Sequence, residues 1–147
     1  MLSEEEKRLY KRNKTKKANY SLQQTAKNAG VKDFSKFHNA GYRGLYNGET
    51  ADDIAKRKGL RYREDILDNM GSVELSANEF RISLAEEKLV NENIQGEINV
   101  NKAHLKVGKI VRNAIKQAGG SMPENLPTPK KSLKQLEKEN KQKLKKK

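Results

Sequence analysis

Two histidines and a scatter of carboxylates are the residues with catalytic potential, and their spacing limits what they can do. His38 and His104 stand alone, with no second histidine three or four residues away to complete a metal-binding pair. Both are expected in structural or surface roles: His38 on a helix over residues 34–46, His104 beside the inward face of a long helix. Glu86, Glu87 and Lys88 superficially fit the end of a metal-nuclease pattern. They fall in helical sequence, whereas that chemistry needs a strand to present the acids. The chain has no Walker loop, no G-x-G-x-x-G and no G-x-S-x-G. Gly41 and Gly44 are too close together, and too flanked by tyrosine, for a phosphate loop. With no cysteine, disulfides, thiol catalysis and Cys-based zinc sites are excluded. The expectation is a protein that is not an enzyme and needs no cofactor or metal.

Binding signals are stronger. Lys and Arg total 32 against 19 Asp and Glu, a net charge of +13. An excess of this size favours polyanions, nucleic acid first. The basic residues cluster at 7–17, at Arg43, at 56–63 and from Lys130 onward. Thr50, Ile54, Ala55, Gly59 and Leu60 resemble the first helix and turn of a helix-turn-helix, with Arg61, Tyr62 and Arg63 placed to reach a duplex. Glu64, Asp65 and Asp68 put three acids on the segment that would face phosphates. Two capped helices turning a corner are therefore the favoured account. The candidate nucleic-acid contacts are Arg43, Lys56, Arg57, Lys58, Arg61, Tyr62, Arg63, Lys130 and Lys131. Tyr62 is the candidate for stacking on a base, and Tyr42 and Tyr46 are expected to pack under the glycine turn.

The elements that must position these residues are all helical. Hydrophobic residues are 33% and charged residues 35%, with a mean hydropathy of -1.04, so one modest core is expected, within residues 30–118. Residues 3–28 read as a polar, basic helix opened by Ser3 with Glu6 and closed by Gly30, either an exposed arm or the continuation of an upstream element. Asp33 caps a helix carrying Phe34, Phe37, Ala40, Gly41 and Leu45. Gly41 and Gly44 weaken that helix by about 1 kcal/mol each against Ala, which close backbone packing would offset. Thr50 caps a short helix to Lys58, and residues 64–70 form another with Ile66, Leu67 and Met70 facing in.

Ser72 then caps a long helix over residues 73–94, with an inward stripe of Val73, Ala77, Phe80 and Leu84 reinforced by Ile82, Ala85 and Leu89. A second begins near Asn99, with Val100, Ala103, Val107, Ile110, Val111, Ala114 and Ala118 at helical spacing. The two are expected to form an antiparallel hairpin supplying most of the core. Residues 121–129 hold all three prolines, an extended link to a lysine-rich tail expected to fray. The fold expected is a small irregular all-α domain built on that hairpin. Residues 1–29 form its polar helix, 30–120 its core, and 121–147 the linker and tail. There is no apolar leader and no membrane-spanning window. A soluble, cytoplasmic protein is expected.

Three stretches are recognisable in order: GYRGLYNGETADDIAKRKGL, EDILDNMGSVELSANEFR and GGSMPENLPTPKKSLKQLE. From about Glu6 onward the chain resembles the C-terminal region of the bacterial DNA-damage-inducible protein D (DinD) family, and similar segments occur in phage antirepressor-type proteins. The resemblance implies induction in the SOS response and an accessory role near damaged DNA, on single strands or a recombinase–DNA filament. It supplies no catalytic residues. The alternative it allows is a protein-interaction or oligomerisation domain of an antirepressor-like regulator. Family members carry a Bro-like N-terminal domain that is absent here. The chain is therefore expected to be a split-gene product, a natural short form or a truncated one. A separately encoded Bro-like domain and a second copy of the chain are then candidate partners. Glu79 stands where the resemblance leads one to expect an apolar residue.

Overall fold

The computed structural model of the chain describes residues 2–61 and 63–145. Ser3 opens α1 (Glu4–Asn28), its Oγ accepting the Glu6 amide at 3.1 Å. Asp33 opens α2 (Phe34–Leu45) in the same way, accepting the Lys36 amide at 3.1 Å. Thr50 and Asp53 form a reciprocal capping box on α3 (Ala51–Arg57). A 3₁₀ turn over Ile66–Asn69 follows, then α4 (Ser72–Asn91), α5 (Glu97–Gln117), a second 3₁₀ turn over Pro123–Asn125 and α6 (Leu133–Lys145). No strand occurs among the described residues, and the protein is all-helical as expected.

Two caps come from a distance. Ser72 is the first residue of α4 rather than its cap, and Glu4 of α1 accepts both its amide and its hydroxyl at 3.0 Å. Glu97 of α5 accepts the Lys32 and Asp33 amides ahead of α2, at 2.6 and 2.9 Å. The orphan amides of one helix are thus satisfied by a carboxylate on another. These hydrogen bonds hold both carboxyls below their ordinary range, that from the Ser72 amide for Glu4 and those from Asp33 and Lys32 for Glu97.

The helices pair across the sequence. Contacts between α1 and α4 climb together, from Lys11 with Ser72 through Lys14 with Glu79 to Ser21 with Glu86, so the two run parallel. Those between α2 and α5 do the same, from Phe37 with His104 to Leu45 with Arg112. The expected hairpin of α4 and α5 is present, but it is not the main packing unit. The most extensive contacts are α2 on α5 and α1 on α4.

Glycine explains the α2–α5 pairing. A Cβ on Gly108 would lie 2.7 Å from the Gly41 carbonyl oxygen and 2.9 Å from the Gly44 Cα. Only residues without side chains allow backbones this close, so the expected close packing at Gly41 and Gly44 is found, with Gly108 as its partner.

Three expectations about the core change. First, α1 is neither an exposed arm nor peripheral: Leu22 and Ala26 are fully buried, and Arg8, Arg12 and Thr15 are buried as well. Second, the inward stripe of α4 is found in part: Ile82, Ala85 and Leu89 are buried and Ala77 and Leu84 pack against the core as expected, but Val73 and Phe80 do not. Val73 is 65% exposed and Phe80 56% exposed, while Glu74, Leu75, Asn78, Arg81, Ile82, Ala85 and Leu89 face in. Three of those seven are polar, so the apolar pattern alone showed only part of the buried face. Glu79 does not weaken the packing, because it lies beside Lys14 at 3.6 Å.

Third, the tail is docked. α6 buries Leu133 and Leu136, Ser132 caps it by accepting the Gln135 amide at 3.1 Å, and Arg12 pairs with Glu137. On α5, Val100, Ala103, Val107 and Val111 are buried as expected, whereas Ile110 is half-exposed and Ala114 and Ala118 face solvent.

Candidate nucleic-acid interface

The corner between α3 and α4 carries most of the expected contacts. α3 ends with Lys58 and Gly59, whose positive φ of 70° reverses the chain. Asp65 then accepts the Leu67 amide at 2.9 Å and starts the 3₁₀ turn. The expected second helix over 64–70 is thus a single turn of Ile66–Asn69, which buries Leu67 and leaves Ile66 partly covered. Among the described residues, no recognition helix lies over 62–70 and the helix-turn-helix arrangement is absent, in line with the favoured account of a structural corner.

Lys58 is removed from the solvent-facing set. Its side chain is 0% exposed, with Nζ 2.8 Å from Glu74 Oε1. The same ammonium donates to the Asn69 carbonyl at 3.2 Å and the Thr128 hydroxyl at 3.4 Å. All three of its protons are used inside the protein, so it has none for a phosphate.

From this pair a polar chain runs through the core. Tyr46 donates to Glu74 Oε2 at 2.5 Å, and Asn78 Nδ2 donates to the Tyr46 oxygen at 2.9 Å. Arg81 donates to Asn78 Oδ1 at 3.1 Å and to His104 Nε2 at 2.7 Å. His104 Nδ1 donates to the Phe37 carbonyl at 2.9 Å. An arginine can only donate, so His104 carries its proton on Nδ1 and accepts on Nε2.

Burial, then the Arg81 charge, holds the His104 imidazole well below its ordinary value. Burial, then Glu74, pushes the Tyr46 phenol well up. Tyr42 is also buried, with its ring 4.9 Å from the Arg81 guanidinium carbon. Gly41 and Gly44 lie within α2 and form no turn, so both tyrosines pack against α4 instead, and they offer no stacking face.

The remaining candidates divide by position. Lys56 and Arg61 are exposed. Arg57 is partly covered, paired with Glu49 at 2.9 Å and lying over the Tyr46 ring at 5.9 Å. Arg63 is exposed in a left-handed conformation with φ 69° and lines a cleft of mixed charge, where Lys16 and Lys134 lie with Glu64, Asp65, Asp68 and Glu137. Tyr62 lies outside the described residues.

Lys130 and Lys131 are exposed, and Lys131 pairs with Glu139 at 3.0 Å. The Lys58–Thr128 contact and the shared cleft bring the α3 corner and the start of the tail to one side of the domain. Arg43 stands apart from them, in a groove between α2 and α5.

Of the acids and histidines considered for catalysis, Glu86 and both histidines have structural partners, and Glu87 is exposed. Glu86 accepts from Ser21 and Thr25 at 2.7 and 2.9 Å, and Lys88 pairs with Glu92 at 2.6 Å. His38 Nε2 lies 2.8 Å from Gln23 Oε1. Among the described residues, no group of three His, Cys, Asp or Glu side chains converges as a metal site, and no helix is long and apolar enough to cross a membrane.

The three-block pattern of the sequence is therefore carried by architecture: the Gly41–Gly44 crossing, the capped corner and the docked tail. The family model described as the DinD C-terminal domain matches residues 2–136. The chain belongs to the DinD C-terminal domain family. It is 48% identical over 139 residues to the DNA damage-inducible protein D of Escherichia coli (strain K12), covering 92% of this chain and 51% of that relative. The chain thus spans about half the length of the curated relative it matches. No solved structure matches it. As a DinD C-terminal domain it includes α1 and most of the contact surface of α6, since the matched residues reach Leu136.

Proposed function

We propose that the chain is a non-enzymatic accessory module of the DNA-damage response. In this reading it acts in the cytoplasm under SOS control and binds single-stranded DNA or a recombinase–DNA filament. Family membership and the name of the relative support the damage-response role. The observation that carries the binding is the gathering of the α3 corner and the tail on one side. Lys56, Arg61, Arg63 and Lys130 on these two segments are exposed, and Lys58 hydrogen-bonds from one segment to the other. Such a surface contacts phosphates without reading sequence.

The test is a salt titration of binding to labelled oligo-dT and to a duplex of equal length. For a single strand the logarithm of affinity falls with a slope of about −0.7 per phosphate contacted. Arg61→Glu and Lys130→Glu should each weaken binding and flatten that slope. Binding that is absent at low salt, or indifferent to both substitutions, sinks the direct-DNA form of the proposal.

A second reading, a protein-interaction or oligomerisation domain, is favoured by the exposure of Val73 and Phe80 on the outer face of α4. Sedimentation of the wild type and of Phe80→Ser separates it. A self-associating domain shifts toward monomer on substitution, and a wild type that is monomeric at all concentrations rejects self-association.

A further inference from the structure

The glycine crossing draws α2 and α5 together and leaves a seam beside it. Lys36, Ala40 and Arg43 from α2 face Ile98, Lys102 and Leu105 from α5 across a groove of about 370 Å³. Each set repeats at helical spacing, and because the helices run parallel the two rows stay in register along the seam. The volume is near the lower end for binding pockets and suits one or two side chains rather than a large ligand.

The lining has a definite chemical character. Three cations meet one acid, Glu97, whose Oε2 already accepts two backbone amides at the start of α2. None of the three cations makes an ion pair among the described residues. Between them the wall is aliphatic, formed by Ala40, Leu105 and Ile98, the last 72% exposed. Asn101 also lines the groove, and its Oδ1 is buried without a donor.

We infer that this groove binds an acidic peptide segment of a partner protein, with carboxylates on Lys36, Arg43 and Lys102 and an apolar side chain against Ala40, Ile98 and Leu105. Nucleic acid fits the same charge less well, because the groove wall is aliphatic and contains no aromatic ring on which a base could stack. Basic side chains rimming an apolar slot match a peptide that alternates acidic and apolar residues, with charge setting orientation and the apolar anchor setting affinity. The inference goes beyond the DNA-binding proposal, because it concerns a different face and a different ligand.

Fluorescence anisotropy with the full chain tests it, using a labelled peptide of alternating Asp and Leu. A counterpart with Asn for Asp and a labelled oligo-dT serve as comparisons. The Asp peptide should bind and the Asn peptide should not. Lys36→Glu, Arg43→Glu and Ile98→Ser should each weaken binding by about tenfold or more, whereas Arg61→Glu should leave it unchanged. All four positions are exposed, and matching circular dichroism spectra confirm that the variants fold. The inference is overturned if the Asn peptide binds equally well or the groove substitutions have no effect. It is also overturned if those substitutions abolish oligo-dT binding while the Asp peptide fails to bind.

Discussion

Lys58 Nζ lies 2.8 Å from Glu74 Oε1 with both side chains closed to water, a buried ion pair between the corner after α3 and the first turn of α4. Removing one partner leaves the other charge without compensation inside the protein. Lys58→Met should destabilise the domain by about 3–5 kcal/mol, read as a lower urea midpoint. The double variant Lys58→Met/Glu74→Leu should recover much of that loss. At temperatures where it stays folded, Lys58→Met should bind oligo-dT as the wild type does, because this lysine faces no solvent.

Gly108 makes the opposite prediction from ordinary helix propensity. Ala in place of Gly within a helix normally adds about 1 kcal/mol of stability. At Gly108 the added methyl meets the Gly41 carbonyl oxygen and the Gly44 Cα, both backbone atoms with no freedom to rotate away. Gly108→Ala should therefore lower stability by about 1–3 kcal/mol, seen as a reduced melting temperature. A melting temperature equal to or above wild type would show that α2 and α5 are further apart than described.

The histidines set the acid limb of stability. His104 is held well below its ordinary value by burial and then the Arg81 charge, and His38 is lowered to about 4 by the same two causes in the same order. In the unfolded chain both titrate near ~6.5. Between those values the unfolded state binds more protons than the folded one, so stability rises with pH across the window. It is fully present above about pH 6.5 and is lost as pH falls through the folded values. Urea midpoints should drop between pH 7 and 5, before carboxylates titrate, and the His104 ring proton resonances should not move over that range. A midpoint flat across the interval would contradict the burial of both rings.

Docking of α6 can be tested by cutting its apolar contact. Leu133 is 1% exposed beneath the tail. Leu133→Ala should cost about 2–5 kcal/mol if the helix is an integral part of the fold. Limited proteolysis should then cleave α6 while the wild-type tail is spared. Equal cleavage of both would return the tail to the frayed state expected from its composition.

Caps, turns and the amphipathic rows of α2 and α5 were legible because their chemistry is local. Ser3, Asp33 and Thr50 act on amides three residues away, and Gly41 and Gly44 announced a close crossing though not its partner Gly108. What misled was burial of polar groups. α4 faces inward through Glu74, Asn78 and Arg81, which hydrogen-bond to one another and to Tyr46 and His104, and α1 buries Arg8 and Arg12 against backbone carbonyls and acids from residues far along the chain. An apolar count marks such faces as solvent-exposed, so it placed Val73 and Phe80 inside and left α1 and α6 outside the core.

The same effect hid the site. Lys58 reads as part of a basic run and is an interior residue, while Lys36 and Lys102 sit in unremarkable helical sequence and meet only because α2 and α5 run parallel. Exposed Ile98, out of phase with Val100 and Ala103, was the one local sign of the groove.

The parallel pairing has a kinetic consequence. Arg8 donates to Met70 and to Lys131, across 62 and 123 residues of chain. Its tightest packing joins helices that are not neighbours in sequence. Most helical bundles fold quickly because adjacent helices meet first. Here the chain must close long loops before α1 finds α4 or α2 finds α5, and the loop-closure entropy falls on the barrier. The domain should therefore refold more slowly than its helix content suggests. Stopped-flow mixing should also show Leu133→Ala chiefly speeding unfolding, since a tail that docks after the helix pairs contributes little to the transition state.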